Sequence, residues 1–151
     1  MGKPSLAQDL NNVSIRVTAE VFKTIELTTI RNIQFGEVQT GQEQIIISPI
    51  LDSNAGKMVA SGIPESRIRV SYLEEWELTN DSNDHTLTFY YDLAGNMVDN
   101  QNTAELLQTD NRGLQLNKDG EYYFWVGGRV DISNAQPGNY EGEFTIEIEY
   151  M

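Results

Sequence analysis

The chain of 151 residues contains no cysteine and a single histidine, His85. Without a thiol there is no disulfide and no cysteine nucleophile. A Ser-His-Asp arrangement would have to use His85, and the sequence has no nucleophile-elbow pattern to support one. A glycosidase needs only two carboxylates, but none of the 23 acidic residues stands in an apolar surround. We therefore expect neither enzymatic activity nor a cofactor.

Basic residues are also scarce. Ten lysines and arginines face 23 acidic residues, which gives a net charge of -13. This charge argues against nucleic acid and anionic membrane surfaces as partners, because binding to phosphate needs a basic surface. No apolar run approaches the roughly 18 residues of a membrane span, so we expect no membrane insertion. The length fits one domain with a real core.

The sequence has no amphipathic helical pattern. Instead, apolar and polar residues alternate strictly in several stretches. The clearest case is the C-terminal stretch from Asn139 to Met151. Alternation predicts a strand with one buried and one solvated face. The solvated face carries four glutamates, and the turn Gln136–Asn139 precedes the strand. The residues predicted on the buried face are Tyr140, Gly142, Phe144, Ile146, Ile148 and Tyr150.

A second alternating stretch opens the chain. Its apolar positions are Val13, Ile15, Val17, Ala19 and Val21. The pattern runs on for about 15 residues, well beyond the usual strand of roughly 5–6. The phase breaks at residues 22–23, which predicts one strand over 13–21 and a second over 24–30.

Shorter strands are expected at 33–38, 45–47, 57–61, 67–72, 76–78, 86–91 and 121–126, the last ending before a pair of glycines. Residues 92–113 are polar and irregular, with one helical turn predicted at 104–107. Short alternating strands separated by turn residues indicate an all-β fold, an antiparallel Ig-like β-sandwich.

Two kinds of small ligand are compatible with the side chains. Calcium accepts carboxylate and amide oxygens from irregular loops, although no loop has EF-hand spacing and solvated turns are the favoured interpretation. The calcium candidates are Asp81, Asn83 and Asp84 in one loop and Asp92, Asn96, Asp99 and Asn100 in another. Aromatic residues could form a sugar-stacking platform, although core packing is favoured; they are Trp76, Tyr90, Tyr122, Tyr123 and Trp125.

Several segments resemble a family of secreted bacterial sandwich domains described as domain of unknown function 4402. They are residues 33–36, 54–57, 124–128 and the Pro-Gly-x-Tyr-x-Gly pattern of 137–142. The resemblance runs from about Val13 to Tyr150 and implies a fimbria-like protein.

The ending also resembles that of chaperone–usher pilus subunits, which have a penultimate tyrosine and a glycine twelve residues before it. Here these are Tyr150 and Gly138. Such subunits lack one sandwich strand and receive it from a neighbour's N-terminal extension. The resemblance implies that Val13, Ile15, Val17, Ala19 and Val21 form the donor strand. It implies an acceptor groove along the C-terminal strand, at Tyr140, Phe144, Ile146, Ile148 and Tyr150.

A strand supplied by a neighbour would fill both an apolar groove and an unpaired sheet edge. Burying five aliphatic side chains would contribute about 7–15 kcal/mol before ordering costs. A head-to-tail joint of this kind does not close on itself and propagates a filament.

The sequence therefore predicts three parts: a flexible N-terminus over 1–11, a donor strand over 12–22 and a sandwich domain over 23–151. Ser5 and Ala7 in the first part are spaced like the end of a secretory signal. We expect a structural subunit of an extracellular bacterial filament, pilus-like, cell-surface and adhesive. Its partners would be other copies of itself, with a periplasmic chaperone and an outer-membrane usher. The alternative is a monomeric secreted sandwich that binds a carbohydrate or calcium.

Overall fold

The computed structural model describes residues 10–21, 25–35, 41–136 and 138–151, with the backbone alone at 10–12 and 18–21. The predicted signal-like segment at residues 5–7 and the break in phase at 22–23 lie outside them. The described residues form eleven strands and one short 3₁₀ turn, with no α-helix. The strands are β1 (Leu10–Val21), β2 (Glu26–Arg31), β3 (Gln44–Ile47), β4 (Gly56–Ser61), β5 (Arg67–Tyr72), β6 (Glu75–Asn80), β7 (Thr86–Asn96), β8 (Glu105–Leu107), β9 (Asn111–Gln115), β10 (Glu121–Asp131) and β11 (Gly138–Tyr150).

The strands form one hydrogen-bonded network in the order β2-β4-β10-β7-β6-β11-β5-β9. In addition, β1 pairs with β11, β3 with β10 and β8 with β7. Strand β6 pairs with both β7 and β11, so it joins the layer containing β10 to the layer containing β11. The ring of Tyr91 on β7 lies 4.8 Å from that of Phe144 on β11, because the inner faces of the two layers pack together. The predicted all-β, sandwich-like fold is confirmed.

The core follows the alternation of the strands. On β11, Tyr140, Phe144, Ile146 and Ile148 are buried while Glu141, Glu143 and Glu147 are exposed. Strand β10 lies between β4 and β7, and its consecutive residues Phe124, Trp125 and Val126 are all buried. A strand in the middle of a layer with both faces covered reads as a continuous apolar run, as this one does.

Strand β10 does not end before its two glycines, as predicted, but continues to Asp131. Gly128 has a φ of +145°, and a Cβ there would meet the backbone carbonyl oxygen of Tyr90 on β7. Only glycine adopts this conformation without strain. The glycine pair thus does not end β10. It lets β10 continue while its backbone lies close to the neighbouring strands.

The prediction that residues 92–113 are irregular is wrong, and so is the predicted helical turn at 104–107. Strand β7 extends to Asn96, the 3₁₀ turn spans Gln101–Thr103, and β8 pairs with β7. The buried side chain of Leu107 lies in β8, opposite Leu93. Pairing with β7 decides the conformation of this segment. The three residues of β8 are too few to show an alternation of apolar and polar side chains.

The remaining expected strands agree within a few residues, except the one at 33–38. There the described residues show only an isolated bridge from Ile33 to Ile15, and 36–38 lie outside them. In the described ranges, no helix is long and apolar enough to span a bilayer.

Candidate functional site

The N-terminal strand lies alongside the C-terminal strand of the same chain. Strand β1 pairs with β11 from Leu10 opposite Gly138 to Val21 opposite Ile148. This ladder is parallel, whereas every other ladder between the described strands is antiparallel. Parallel pairs are slightly less stable per residue than antiparallel ones. The segment expected to leave the subunit is thus the one whose pairing departs from the rest of the fold.

The other edge of β1 faces the end of β2. Ile15 forms a bridge with Ile33, and the backbone N–H of Val17 donates to Asn32 Oδ1 at 3.1 Å. The hydroxyl of Thr29 donates to the carbonyl oxygen of Val17 at 3.2 Å. Strand β1 therefore occupies a slot between β11 and residues 29–33, which we call the β1 slot.

Within the β1 slot, three of the predicted donor residues have described side chains. Val13, Ile15 and Val17 are 7%, 1% and 5% exposed. The backbones of Ala19 and Val21 continue the ladder opposite Ile146 and Ile148. The inward side of β1 is thus part of the core of its own chain.

Four of the five predicted acceptor residues stand opposite β1 in the same slot. Tyr140, Phe144, Ile146 and Ile148 are at most 1% exposed. Tyr150 is half-buried, and its hydroxyl accepts a hydrogen bond from the N–H of Ile63 at 2.8 Å. The penultimate tyrosine therefore fastens the end of β11 to the loop after β4.

The start of β11 is fixed by Tyr140. Its hydroxyl donates to the carbonyl oxygen of Gln136 at 2.8 Å and accepts from the N–H of the same residue at 2.9 Å. Gly138 has a φ of +136°, and a Cβ there would lie 2.7 Å from Asn80 Nδ2. The Pro-Gly-x-Tyr pattern thus sets where the acceptor strand begins, although Pro137 itself lies outside the described residues.

The outer side of this layer is acidic. Arg69 on β5 forms an ion pair with Glu149 on β11 and lies 3.8 Å from Asp110. Ser14 and Arg16 of β1 stand opposite Glu141 and Glu143 in the ladder. The register thus places a cation of β1 beside a carboxylate of β11.

The aromatic residues considered as a sugar platform are not brought together. Trp125 and Tyr122 are buried, whereas Trp76 and Tyr90 are 47% and 42% exposed. Trp125 is stacked with Tyr123 at 6.4 Å, under the ammonium of Lys57. A single platform of five rings does not exist.

Several side chains of the acidic loops are already paired with other groups of the chain. Asn83 Oδ1 accepts from the N–H of His85 at 2.8 Å, and Asp81 Oδ2 accepts from Asn139 Nδ2 at 3.3 Å. Asp99 forms an ion pair with Lys57 at 2.6 Å. Within the described part of the chain, no three His, Cys, Asp or Glu side chains lie close enough to hold a metal together.

A comparison of the sequence with family models identifies the family of this chain. A model described as a domain of unknown function, DUF4402, matches residues 18–150. The chain belongs to the DUF4402 family. No curated protein matches the chain. The DUF4402 match begins inside β1, after the buried Val13, Ile15 and Val17, and includes the whole of β2–β11.

Sequence reasoning identified the two strands of the site but missed the other wall of the β1 slot. Thr29 and Asn32 form that wall through hydrogen bonds between their side chains and the backbone of Val17. Their role depends on β1 arriving beside them, so no local pattern could have signalled it.

Proposed function

We propose that this DUF4402 protein is a structural subunit of an extracellular bacterial filament, polymerising by exchange of β1 between copies. The observation that carries the proposal is the β1 slot, where β1 pairs in parallel with β11 whereas the other ladders between described strands are antiparallel. The intramolecular arrangement is then the closed form of the free subunit.

The energetics favour a durable joint. Val13, Ile15 and Val17 bury three aliphatic side chains, worth about 5–9 kcal/mol at about 1.5–3 kcal/mol each. Each backbone hydrogen bond of the ladder adds about 1 kcal/mol. Exchange of β1 in the same direction would replace these contacts with the same contacts made by a neighbour. Entry in the antiparallel direction would change the residue pairs and strengthen the ladder.

The family match starts inside β1 and includes two of the five predicted donor residues, Ala19 and Val21. It omits the first eight residues of β1, Leu10–Val17, which carry three of the five predicted donor side chains. A head-to-tail joint made by such a strand is heterologous and does not close, so it produces a filament instead of a dimer. Export, a periplasmic chaperone and an outer-membrane usher belong to the same proposal, as does a role in adhesion.

The test is the oligomeric state of the purified protein. We expect a ladder of oligomers that resists mild denaturant, and monomers after deletion through Val21. Because the truncated chain loses part of its core, a peptide covering residues 10–21 is added to restore its fold. Polymers formed by the truncated chain alone would overturn the donor assignment.

A pair of point variants compares a buried position of β1 with an exposed position of β3. Ile15→Asp places a charge at a position that is 1% exposed, whereas Ile46→Asp changes an isoleucine on β3 that is 61% exposed. We expect the first variant to lose the oligomer ladder and the second to keep it. Equal ladders from both variants would contradict the proposal.

A further inference from the structure

A cleft opens where β6 parts from β11. Only Thr79 and Asn80 of β6 pair with β11, whereas Glu75–Thr79 pair with β7. The gap is an open groove of about 360 Å³. Trp76 of β6 lines it and is 47% exposed. We call it the Trp76 cleft.

The polar groups of the Trp76 cleft come from three strands. Arg16 and Ser14 of β1 and Thr79 of β6 supply donors, and Glu77 and Glu141 supply carboxylate acceptors. Arginine carries five N–H donors, an ionised carboxylate accepts only, and a hydroxyl does both. Such a mixture fits a ligand that itself presents donors and acceptors at every position.

The charges of the cleft narrow the class of ligand. An anionic ligand would face Glu77, Glu141 and Glu143 and the chain's net charge of -13. A cationic ligand would gain from the carboxylates and the face of the indole, but an ammonium group has no acceptor for the N–H donors of Arg16. A neutral polyol avoids both penalties and uses donors and acceptors together.

We propose that the Trp76 cleft binds a neutral saccharide. The apolar C–H face of a sugar ring packs on the exposed indole, whose area supplies the hydrophobic contact. The sugar hydroxyls bond to Arg16, Glu77 and Glu141 around it. This places carbohydrate binding at Trp76 alone, without the buried Trp125.

The cleft is complete only when a strand occupies the β1 slot, since Ser14 and Arg16 belong to β1. In the free subunit its own β1 supplies this wall, so the proposal does not depend on polymerisation. A ligand that contacts β1 and β6 at once stabilises the docked strand by mass action. We therefore expect bound saccharide to raise the thermal midpoint of unfolding.

The experiment is a glycan array carrying neutral and acidic glycans, followed by fluorescence titration of the intact chain with a neutral oligosaccharide that binds. We expect neutral glycans to bind and sialylated or uronic-acid glycans not to. Trp76→Ala should weaken binding at least tenfold. Tyr90→Ala, which changes another half-exposed aromatic residue outside the cleft, should leave it unchanged.

Three results would overturn the proposed saccharide site. In the first, no neutral glycan on the array binds the protein. In the second, Trp76→Ala binds the sugar as tightly as the original chain, and in the third the cleft binds spermine tightly and does not bind sugars. Trp76 does not line the β1 slot, so Trp76→Ala should still form oligomers. Loss of sugar binding with intact oligomers thus separates failure of this proposal from failure of the filament proposal.

Discussion

Buried and partly buried tyrosines hold the two layers together through both ring and hydroxyl. Tyr91 packs against Phe144 and donates to the carbonyl oxygen of Glu143 at 3.2 Å. Tyr72 donates to the carbonyl oxygen of Leu107 at 2.7 Å. Burial raises the pKa of Tyr122 to about 12, with the charge of Glu105 adding to the effect. Burial also raises the pKa of Tyr91 and of Tyr72 above 10.0.

These shifts predict the behaviour of the protein in alkali. A raised folded-state pKa means that the stabilisation is complete below the unfolded value near 10.0 and is lost as pH rises towards the folded value. Tyrosinate absorbance should therefore rise in two stages, the second one together with unfolding. Tyr122→Phe, which cannot ionise, should lose less stability between pH 10 and 12. A single early stage that includes Tyr122 would contradict this account of its burial.

At the scale of the element, β11 is organised by its two faces. Ile146 is fully buried whereas its neighbour Glu147 is exposed. The buried face meets the core, and both edges of the strand are paired, with β1 on one side and β5 and β6 on the other. A change on the buried face should therefore cost far more than one on the exposed face.

The comparison of Ile146→Ala with Glu147→Ala measures this difference. We expect the first to lower the free energy of unfolding by about 2–5 kcal/mol, since it leaves a cavity in a packed core. The second should change it by no more than about 0.5 kcal/mol. Denaturant titration of both variants gives the two values, and equal costs would mean that the faces are wrongly assigned.

Alternation allowed these two faces of β11 to be predicted from the sequence, because period-2 burial is a local property. It did not reveal β8 or β9, because each of these short strands has a single buried residue, Leu107 in β8 and Leu114 in β9. It also placed the end of β10 at the glycines, because the close approach at Gly128 depends on β7. The Trp76 cleft was missed for the same reason: three strands distant in sequence form it.

At the scale of the whole molecule, assembly depends on which copy's β1 fills the slot. The contacts of Val13, Ile15 and Val17 would be chemically the same within one chain and between two, so composition and pattern cannot distinguish the cases. The difference lies in the connection and direction of the strand. The single chain shows the parallel arrangement, and exchange between copies remains our proposal.

The most direct measurement uses the absence of native cysteine. Arg16 stands opposite Glu143 near the middle of the ladder. A strand that enters in the same register, or is reversed about this pair, keeps the two positions opposed. One chain carries Arg16→Cys and a tagged second chain carries Glu143→Cys. After joint refolding and mild oxidation, the account predicts disulfides joining the two kinds of chain. Cross-links formed only inside an Arg16→Cys/Glu143→Cys double variant, with none between separate chains, would contradict it.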